Sequence, residues 1–594
     1  MDSKYVKDIV PEYKASYAMY VATNRAIASL VDGFKPVHRR CVNSADDLHL
    51  YHDRKFLKVS KLEGQVMGDY HPHGGASMSI LAQPFKTRYP LFEGQGNWGS
   101  PDEPNSVAAS RYVETRLTKF CEEFYLSSAD YADKEDNYDG RLKEVVRYYP
   151  PIPGILLTSP SGIAVGLSTN IPPHRIADVC KSLLSYIKGD KSYLNLIPDT
   201  CEESIILTPK EEIKKLYTKG ECSIQYKAKT HYESIDGKLA LVVDAFPPDY
   251  RKKSLETSLI LDAVESGNLE LKNESSTGIR YVFTSKDKGI LEAIEDRLVS
   301  SVGYRMYIEH NNQIHLYKLE EIYDQFIESR KVYIERKYSD LIEKNRTEME
   351  YIRVLLLLKK DKEYLKSMFD KSPKEVAQDL VQKYATTLPI ANRVISSSLT
   401  SMMKDNSEKL MEKFKELEAE IQEYRTYTEN PIIKIKMDIE KLYNQYKNEE
   451  RRAIHIDDVK DVVSFKYKGT TIETNPSSVF FVATKENKID IKHAAELTTL
   501  DLSDYIIISD EYEYYVLHDN QGLVAMTKDQ MLRLDNKFKS DSLVGIVGTN
   551  DLSTIELIRS NNKRKIMLGD WALRSRVSYI QQVEGDASIK LAQH

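Results

Sequence analysis

Long apolar runs and paired cysteines are both missing from this sequence. No segment approaches the roughly 18 consecutive apolar residues that a membrane-spanning helix needs, and the opening residues Met1-Asp2-Ser3-Lys4 contain no apolar signal core. The cysteines show neither the spacing of metal ligands nor the regularity of a disulfide framework. We therefore expect a soluble, cytoplasmic chain with reduced thiols at Cys41, Cys121, Cys180, Cys201 and Cys222.

The sequence also has no overall excess of basic residues. With 84 Lys and Arg against 90 Asp and Glu, the formal net charge is −6 at pH 7, which excludes a uniformly basic nucleic-acid coat protein. Affinity for a polyanion must then come from a local concentration of cations, although such a run is also typical of a solvated charged face. The first 120 residues provide one, made of Arg25, Lys35, Arg39, Arg40, Arg54, Lys55, Lys58, Lys61, Lys86, Arg88, Arg111, Arg116 and Lys119.

The length of 594 residues allows three to five domains, and the character of the sequence changes three times. Residues 1–150 are predicted to be helix-rich, with short helices broken at the prolines. Residues 151–316 begin with a short strand-and-turn unit and continue with alternating strands and helices. After residue 317 the pattern becomes purely helical, and residues 451–594 return to short β-like segments. We therefore predict a multidomain α+β fold.

Residues 317–450 show the apolar spacing of coiled coils. Leu410, Phe414, Leu417, Ile421 and Tyr424 follow each other at steps of four and three residues, and the same rhythm returns after Pro431. A helix of about 45 residues would reach roughly 65–70 Å. Two long runs on either side of a compact helical insert, about 366–408, predict an antiparallel arm with a helical tip. An ordinary helical bundle is the alternative.

The segment Ala108–Leu117 points most directly to chemistry, because Arg111 stands beside Tyr112 after the glycine-rich turn Gly94–Ser100. A phenol can attack a phosphodiester and later be displaced, while a guanidinium holds the phosphate oxygens. We interpret the run that Tyr112 opens as an amphipathic helix. On such a helix Arg111 could instead form an exposed ion pair with Glu114, worth a few tenths of a kcal/mol.

Three further segments stand in a fixed order around this one: Asp32–Arg40, Gly68–Gly74 and Ser161–His174. Together the four motifs resemble the DNA breakage-reunion subunit of type IIA DNA topoisomerases, that is, the A subunits of gyrase and topoisomerase IV. The sequence of these motifs is also similar to the medium subunit of large-phage topoisomerases. The resemblance is strong over about residues 5–190 and continues by layout to about 450.

The resemblance implies a fold in four parts. These are a winged-helix DNA-cleavage domain (1–150), an α/β tower domain (151–316), an antiparallel coiled-coil arm with a dimerisation tip (317–450) and a small β-rich C-terminal domain (451–594). In cellular A subunits the last place holds a DNA-wrapping β-pinwheel. Residues 471–594 carry about four more acids than bases and show no clear repeat, so we expect at most a degenerate pinwheel and doubt negative supercoiling.

The resemblance also assigns roles to single residues. Tyr112 becomes the nucleophile that joins the 5′ end of a cut strand, with Arg111 as phosphate clamp and His71 and His73 beside the scissile phosphate. Ile163 becomes a wedge that enters the minor groove, although by its residue type alone we would place it in a core. The positions that match DNA-gripping residues of the family are Arg25, Lys35, His38, Arg39, Arg40, Gln95 and Asn97.

The resemblance further implies partners. We find no convincing phosphate-binding ATPase loop and no Asp-x-Asp site for Mg²⁺ in the sequence, so we assign no metal ligand to this chain. Mg²⁺ and ATP are expected mainly on a B-type ATPase subunit. Because each chain has one nucleophile, cutting both strands of double-stranded DNA calls for a homodimer, which we expect inside an A₂B₂ assembly. We expect this assembly in the cytoplasm, either associated with the nucleoid or, if the protein is viral, in the cytoplasm of a host cell.

Two other classes of protein compete with the topoisomerase interpretation. A non-catalytic DNA-bridging protein would also have a basic head and a coiled-coil arm, and replacement of Tyr112 by Phe would separate it from an enzyme. A tyrosine recombinase would need a dispersed Arg-His-Arg set, which is not evident, and would not explain the arm.

Overall fold

The computed structural model describes residues 6–456 apart from 71–74, 236–237, 251–257, 277 and 398–406, and beyond 456 it describes chiefly the strands given below. The chain forms two compact units, residues 1–457 and 458–594. Both helices and strands build the first unit, which confirms the mixed α and β class. Among the helices described, none is long and apolar enough to cross a membrane.

The first 200 residues combine short helices with small antiparallel sheets. A five-residue π-helical turn, Ala22–Ala26, follows α1. The helices are α1 (Val6–Val21), α2 (Pro36–Asp47), α3 (Val59–Asp69), α4 (Gly75–Ala82), α5 (Lys119–Phe124) and α6 (Ile176–Ile187). The strands are β1 (Leu57–Lys58), β2 (Phe92–Gln95), β3 (Glu114–Leu117), β4 (Asp133–Asp136), β5 (Lys143–Arg147), β6 (Ser161–Ala164) and β7 (Leu167–Asn170).

The prediction of a helix opening at Tyr112 was wrong. Tyr112 lies in a turn, and β3 follows it as the central strand of a sheet with the order β1-β3-β2. Thr115 and Leu117 are fully buried in this strand, while Glu114 and Arg116 are half-buried. The segment is extended because β1 and β2 supply hydrogen-bonding partners on both sides of β3. The 12-residue helix α6 is a second element that the predicted strand-and-turn unit missed.

Two larger sheets follow. The strands are β8 (Ser204–Ile206), β9 (Glu221–Lys227), β10 (Lys229–Ile235), β11 (Lys238–Ala245), β12 (Leu269–Asn273), β13 (Tyr281–Ser285), β14 (Val299–Arg305), β15 (Tyr307–His310), β16 (Gln313–Leu316) and β17 (Ala453–His455), with helices α7 (Lys210–Lys219), α8 (Ser258–Glu265) and α9 (Lys288–Glu295). The six-stranded sheet has the order β17-β8-β9-β14-β7-β6, and the four-stranded antiparallel sheet has the order β10-β11-β13-β12. One face of the four-stranded sheet is covered by α8 and α9.

A long helix is consistent with the predicted arm. Helix α10 (Leu319–Lys360) has 42 residues and packs against a returning pair, which we number α14 (Ser407–Glu429) and α15 (Pro431–Tyr446). The amide of Asn345 donates to Glu420 at 2.7 Å, whereas Arg330 donates to Asp438 at 2.9 Å. Partner numbers on the returning pair therefore rise as those on α10 fall, and the helices are antiparallel.

A small helical cluster occupies the insert between the arm helices. It contains α11 (Lys362–Ser367), α12 (Pro373–Tyr384) and α13 (Leu388–Ser396). Helix α12 begins with a capping box in which Ser372 and Glu375 satisfy each other's backbone amides. Val376, Leu380 and Val394 are buried against the end of α10. The insert is thus a compact cap on the described end of the arm.

Residues Glu449–His455, which we call the latch, return the chain from the arm to strand β8 and Asp199. One carboxylate oxygen of Asp199 accepts the amides of Arg452 at 2.8 Å and Ala453 at 2.7 Å. Strand β17 pairs in parallel with β8. The guanidinium of the buried Arg88 lies 3.0 Å from carboxylate oxygens of both Asp199 and Glu449. The latch therefore closes the edge of the six-stranded sheet.

The second unit is described by its strands. These confirm the short β-like segments that the sequence predicts in residues 451–594. The strands are β18 (Val463–Tyr467), β19 (Thr470–Thr474), β20 (Val479–Ala483), β21 (Ile489–His493), β22 (Ile506–Ser509), β23 (Tyr514–Asp519), β24 (Gly522–Thr527), β25 (Leu543–Thr549), β26 (Ile555–Arg559), β27 (Asn562–Lys565) and β28 (Lys590–Gln593).

Candidate functional site

Tyr112 projects from a tight turn at the start of β3. Its backbone amide donates to the carbonyl of Ala109 at 2.8 Å, and the side chain is 64% exposed. The guanidinium carbon of Arg111 lies 4.7 Å from the centre of the tyrosine ring, a cation–π contact. An exposed phenol thus has a cation directly beside it.

The turn that carries Tyr112 is held by the first residues of α3. The amide of Val59 donates to the carbonyl of Val113 at 3.1 Å, and that of Ser60 donates to the carbonyl of Ser110 at 3.2 Å. The first amides of a helix have no partner within the helix, so here the turn satisfies them. Val113 is also buried, so the backbone is fixed both before and after the exposed Tyr112.

The structure brings Gln95 and Asn97 to the same turn. Gln95 pairs with Glu114 across β2 and β3, and the carbonyl of Asn97 accepts the amide of Ala108 at 3.0 Å. Gly96, between them, has a φ of +103°, and a Cβ there would lie 3.5 Å from the carbonyl oxygen of Tyr112. Both polar side chains are exposed, as a surface that meets a ligand requires.

Glu114 does not pair with Arg111, so the ion pair considered as an alternative is wrong. Its carboxylate lies 2.8 Å from the ammonium of Lys58. Arg116 is also engaged, with Glu93 at 2.9 Å. Other cations of the predicted basic group keep exposed side chains, and these are Arg25, Arg54, Lys55, Lys58, Lys61, Lys86, Arg111 and Lys119.

The assignment of Arg39 and Arg40 as free DNA-gripping cations disagrees with their surroundings. The Arg39 side chain is 8% exposed and its Nε donates to the fully buried Asp32 at 2.7 Å. Arg40 forms two parallel hydrogen bonds with Glu144, at 2.7 and 2.9 Å. Both guanidinium groups are therefore neutralised by carboxylates of this chain, and Arg39 is a structural residue.

Lys35 and His38 are both half-buried. The ammonium of Lys35 donates to the carbonyl of Ser161 at 2.7 Å, and burial lowers the pKa of this lysine. Burial and repulsion from Lys35 and Arg39 lower the pKa of His38 to about 3. His38 is therefore neutral at pH 7 in this structure. Lys35 supports the strand β6 that carries Ile163.

Ile163 lies on the hairpin β6–β7 and is 87% exposed, which overturns the expectation from its residue type that it belongs to a core. Next to it, a Cβ on Gly162 would come within 2.0 Å of the carbonyl oxygen of Ala26, so only glycine fits. The exposed Arg25 precedes Ala26 in the π-helical turn. The structure thus seats the base of the hairpin against the turn that carries Arg25 and leaves Ile163 projecting.

His71 and His73 lie outside the described residues. The chain enters that segment from α3, which ends at Asp69, and leaves it into α4, which begins at Gly75. Among the residues that the structure does describe, no group of three or more His, Cys, Asp or Glu side chains could hold a metal ion.

Sequence reasoning missed two kinds of residue near the site. Asp32 and Glu144 neutralise the basic segment, and Asn137 and Tyr138 contact the end of α3. Asp32 could have been found from the local sequence. It stands seven residues before Arg39, and the intervening Gly33 and Pro36 favour a turn that brings the carboxylate back to the guanidinium. The other three are more than 60 residues from their partners in sequence, so no local pattern could reveal them.

Comparisons with known proteins agree on one family. A family model for the A subunit of DNA gyrase/topoisomerase IV matches residues 25–443, more than half of the chain. The DNA topoisomerase 4 A subunit of Salmonella typhimurium is 42% identical over 244 residues, which cover 39% of this chain and 32% of the relative. The DNA gyrase A subunit of Halalkalibacterium halodurans is 29% identical over 484 residues, covering 76% of this chain and 58% of the relative.

The exposed tyrosine with an arginine beside it and the projecting apolar hairpin lie within the part of the chain that the family model matches. The chain belongs to the family of DNA gyrase/topoisomerase IV A subunits. It spans between about a third and three fifths of the length of the relatives compared above.

Proposed function

We propose that this chain is the DNA breakage-reunion subunit of an ATP-dependent type IIA topoisomerase. The observation that carries the proposal is the exposed Tyr112 side chain on a fixed turn, with the Arg111 guanidinium over its ring. The membership of the chain in the family of DNA gyrase/topoisomerase IV A subunits supports this interpretation of the Tyr112 and Arg111 pair.

The reaction is a transesterification. The phenolic oxygen of Tyr112 attacks a backbone phosphorus, the bond from phosphorus to the 3′ oxygen breaks, and the 3′ oxygen leaves with a proton. The 5′ phosphate stays joined to the tyrosine. Because one ester replaces another, reversal reseals the strand without a nucleotide. Arg111 stabilises the negative charge that gathers on the phosphate oxygens.

The remaining site residues take supporting roles in this proposal. His71 and His73 donate to phosphate oxygens or help to transfer the proton of the phenol. Gln95 and Asn97, exposed on the turn beside Tyr112, contact the DNA backbone, and Arg25 does so next to the wedge hairpin. Lys35 and Arg40 act indirectly, because Lys35 binds the carbonyl of Ser161 and Arg40 binds the carboxylate of Glu144.

The assembly that we propose is a homodimer on double-stranded DNA, joined by two B-type subunits that bring ATP hydrolysis and Mg²⁺. Each protomer cuts one strand. Residues 1–150 form a winged-helix cleavage domain, 151–316 the tower, and 317–450 the arm, whose helical cap dimerises. The acidic balance of residues 471–594 favours relaxation and decatenation over DNA wrapping and supercoiling.

Detection of the covalent intermediate tests the proposal. The chain is mixed with its cognate B-type subunit, Mg²⁺ and supercoiled plasmid, and the reaction is stopped with detergent. We expect linear DNA with protein on both 5′ ends, so that a 5′ exonuclease is blocked until the protein is digested. Free 5′ ends, or protein on 3′ ends, would contradict the mechanism.

Replacement of Ile163 by Ala is expected to lower the yield of cleaved DNA about tenfold, because inserting an apolar wedge offsets the cost of unstacking a base step. The side chain is 87% exposed, so thermal stability should not change. Ile163→Leu retains the wedge and is the matched control. DNA bending is measured by energy transfer between labels on the two DNA ends. If the Ala variant bent and cleaved DNA as well as the unmodified chain, Ile163 would have no role as a wedge.

We also expect weak sensitivity to quinolone drugs. Many bacterial members of the family carry an acid, a serine and a later acid at the positions of Gly75, Ala76 and Ile80, and the drug anchors through a metal-water bridge to the serine and the later acid. None of the three residues here can accept that bridge. Substitution of Ala76 by Ser together with Ile80 by Glu should restore trapping of cleaved DNA. Trapping of the unmodified enzyme at ordinary doses would contradict this prediction.

A further inference from the structure

The tip of the hairpin β4–β5 is built around the buried side chain of Asn137. Its amide oxygen accepts the backbone amides of Arg141 at 3.0 Å and Leu142 at 3.1 Å. The positive φ of Gly140, +70°, closes the turn. One half of the Asn137 side chain thus shapes the tip and leaves its NH₂ group free to reach elsewhere.

That NH₂ group reaches the carboxyl end of α3. It donates to the carbonyl of Asp69 at 2.7 Å, and the hydroxyl of the neighbouring Tyr138 donates to the carbonyl of Gly68 at 2.9 Å. The last carbonyls of a helix have no partner within the helix and need one from outside. Helix α3 has no glycine after its end to provide a cap of its own, since Tyr70 follows Asp69.

The residue after the helix is fixed as well. Tyr70 is buried, its hydroxyl donates to Asp47 at 2.6 Å, and the amide of Asn43 donates to it at 2.6 Å. The end of α3 is therefore held by α2 through Tyr70 and by the hairpin through the two carbonyls. The chain continues from this point directly into His71.

The base of the same hairpin is tied to other elements. Glu144 of β5 binds Arg40 of α2, as described above. Asp133 of β4 accepts hydrogen bonds from Arg336 of α10 at 2.8 Å and from the hydroxyl of Tyr149 at 2.7 Å. A hairpin joined to both α2 and the arm helix has little freedom, and its tip is a firm support for α3.

We propose that Asn137 and Tyr138 are positioning residues of the cleavage reaction, because their side chains fix the end of α3 from which the chain runs into His71. This inference rests on the proposed function. It adds two residues to the cleavage machinery that act through the histidine segment and do not contact the reacting atoms.

Two substitutions isolate these contacts. Asn137→Asp keeps an oxygen that accepts from Arg141 and Leu142, but it replaces the donor to Asp69 by a second acceptor. Tyr138→Phe removes one hydroxyl from a side chain that is 69% exposed. Arg141→Gln is the matched control, because this exposed side chain belongs to the same turn and does not reach α3.

Hydrogen exchange measures the support, and covalent complex formation with Mg²⁺ and the cognate B-type subunit measures its effect. We expect faster exchange of the amides of residues 66–70 and a rate constant for cleavage about tenfold lower in each variant. The KM for DNA should stay unchanged in both variants. The melting temperature should stay unchanged in Tyr138→Phe, whereas Asn137→Asp should lower it, because it puts a carboxylate in a buried site. The pH profile of cleavage should move, because the histidines follow the loosened helix end, whereas Arg141→Gln should behave as the unmodified chain.

Three results would overturn the inference. Unchanged exchange would show that the hairpin does not hold α3, and faster exchange with unchanged cleavage would show that holding it is irrelevant. A lower melting temperature with an unmoved pH profile would show a merely structural role. If the unmodified chain itself forms no covalent complex, the proposed function fails too, and that case is distinct because variants and control are then equally inactive.

Discussion

Tyr112→Phe is expected to lower DNA cleavage by more than about 10³-fold, because it removes the atom that attacks phosphorus and leaves everything else in place. The ring stays and can still meet the Arg111 guanidinium. The side chain is 64% exposed, so neither folding nor the affinity for DNA should change. Quantifying protein-linked 5′ ends with Mg²⁺ and the cognate B-type subunit checks the result, and a binding titration checks the affinity.

The matched control is Tyr20→Phe, since Tyr20 on α1 is 62% exposed and is equally a tyrosine close to the basic region. It should cleave normally. A non-catalytic DNA-bridging protein would show no difference between the two variants, and that outcome would return the chain to the alternative class. Loss of DNA binding in Tyr112→Phe would instead mark the phenol as a binding group.

Arg39→Met should destabilise the fold by about 3–5 kcal/mol, because it leaves a buried carboxylate without its cation. Asp32 is fully buried, and its oxygens also accept the amides of Phe34 and Tyr148, so the charge cannot relax toward water. Urea unfolding followed by far-ultraviolet circular dichroism measures the loss. The salt dependence of DNA affinity should keep its slope, since the Arg39 guanidinium is bound to Asp32 and to the carbonyl of Phe34.

Arg25→Met is the opposite case and serves as the control. Its side chain is exposed, so stability should be kept while the slope of log affinity against log salt falls by about one unit. If Arg39→Met kept full stability and reduced that slope, the family-based role of Arg39 as a DNA contact would be right, and the buried ion pair would not describe the protein that binds DNA.

The arm could be predicted from the sequence because its cause is local. Apolar residues at steps of three and four define one face of a helix, and Leu417, Ile421, Ile435 and Ile439 are all buried as that pattern requires. Pro431 marks the start of α15, since a proline is well suited to the first turn of a helix. No distant partner was needed to recognise any of this.

The conformation of the tyrosine segment could not be read locally. Val113 and Leu117 are four residues apart, which suits a helix, but Val113, Thr115 and Leu117 alternate, which suits a strand. The choice is made by β1 and β2, whose residues pair with β3 from distant positions in the sequence, Gln95 with Glu114 and Leu57 with Thr115 for example. The chemistry of the segment was predicted, and its conformation depended on tertiary structure.

The basic residues show the same limit. Arg25, Lys35, Arg39 and Arg40 look alike in the sequence, yet one is exposed, one holds a carbonyl and two are paired with carboxylates. Glu144, which neutralises Arg40, follows it by 104 residues. Ile163 is the reverse case, since an isoleucine by itself suggests a core and only the hairpin explains its exposure.

The latch has a practical consequence for anyone who shortens this protein. A chain cut at Glu450, where the helical arm has finished, would strip β8 of its outer neighbour and deprive the buried Asp199 of two amide donors. A bare sheet margin of this kind invites pairing with other molecules and precipitation. A stop placed after His455 keeps β17 paired with β8 and leaves Asp199 its two amide donors, so a few extra residues should decide whether the shortened protein stays monodisperse.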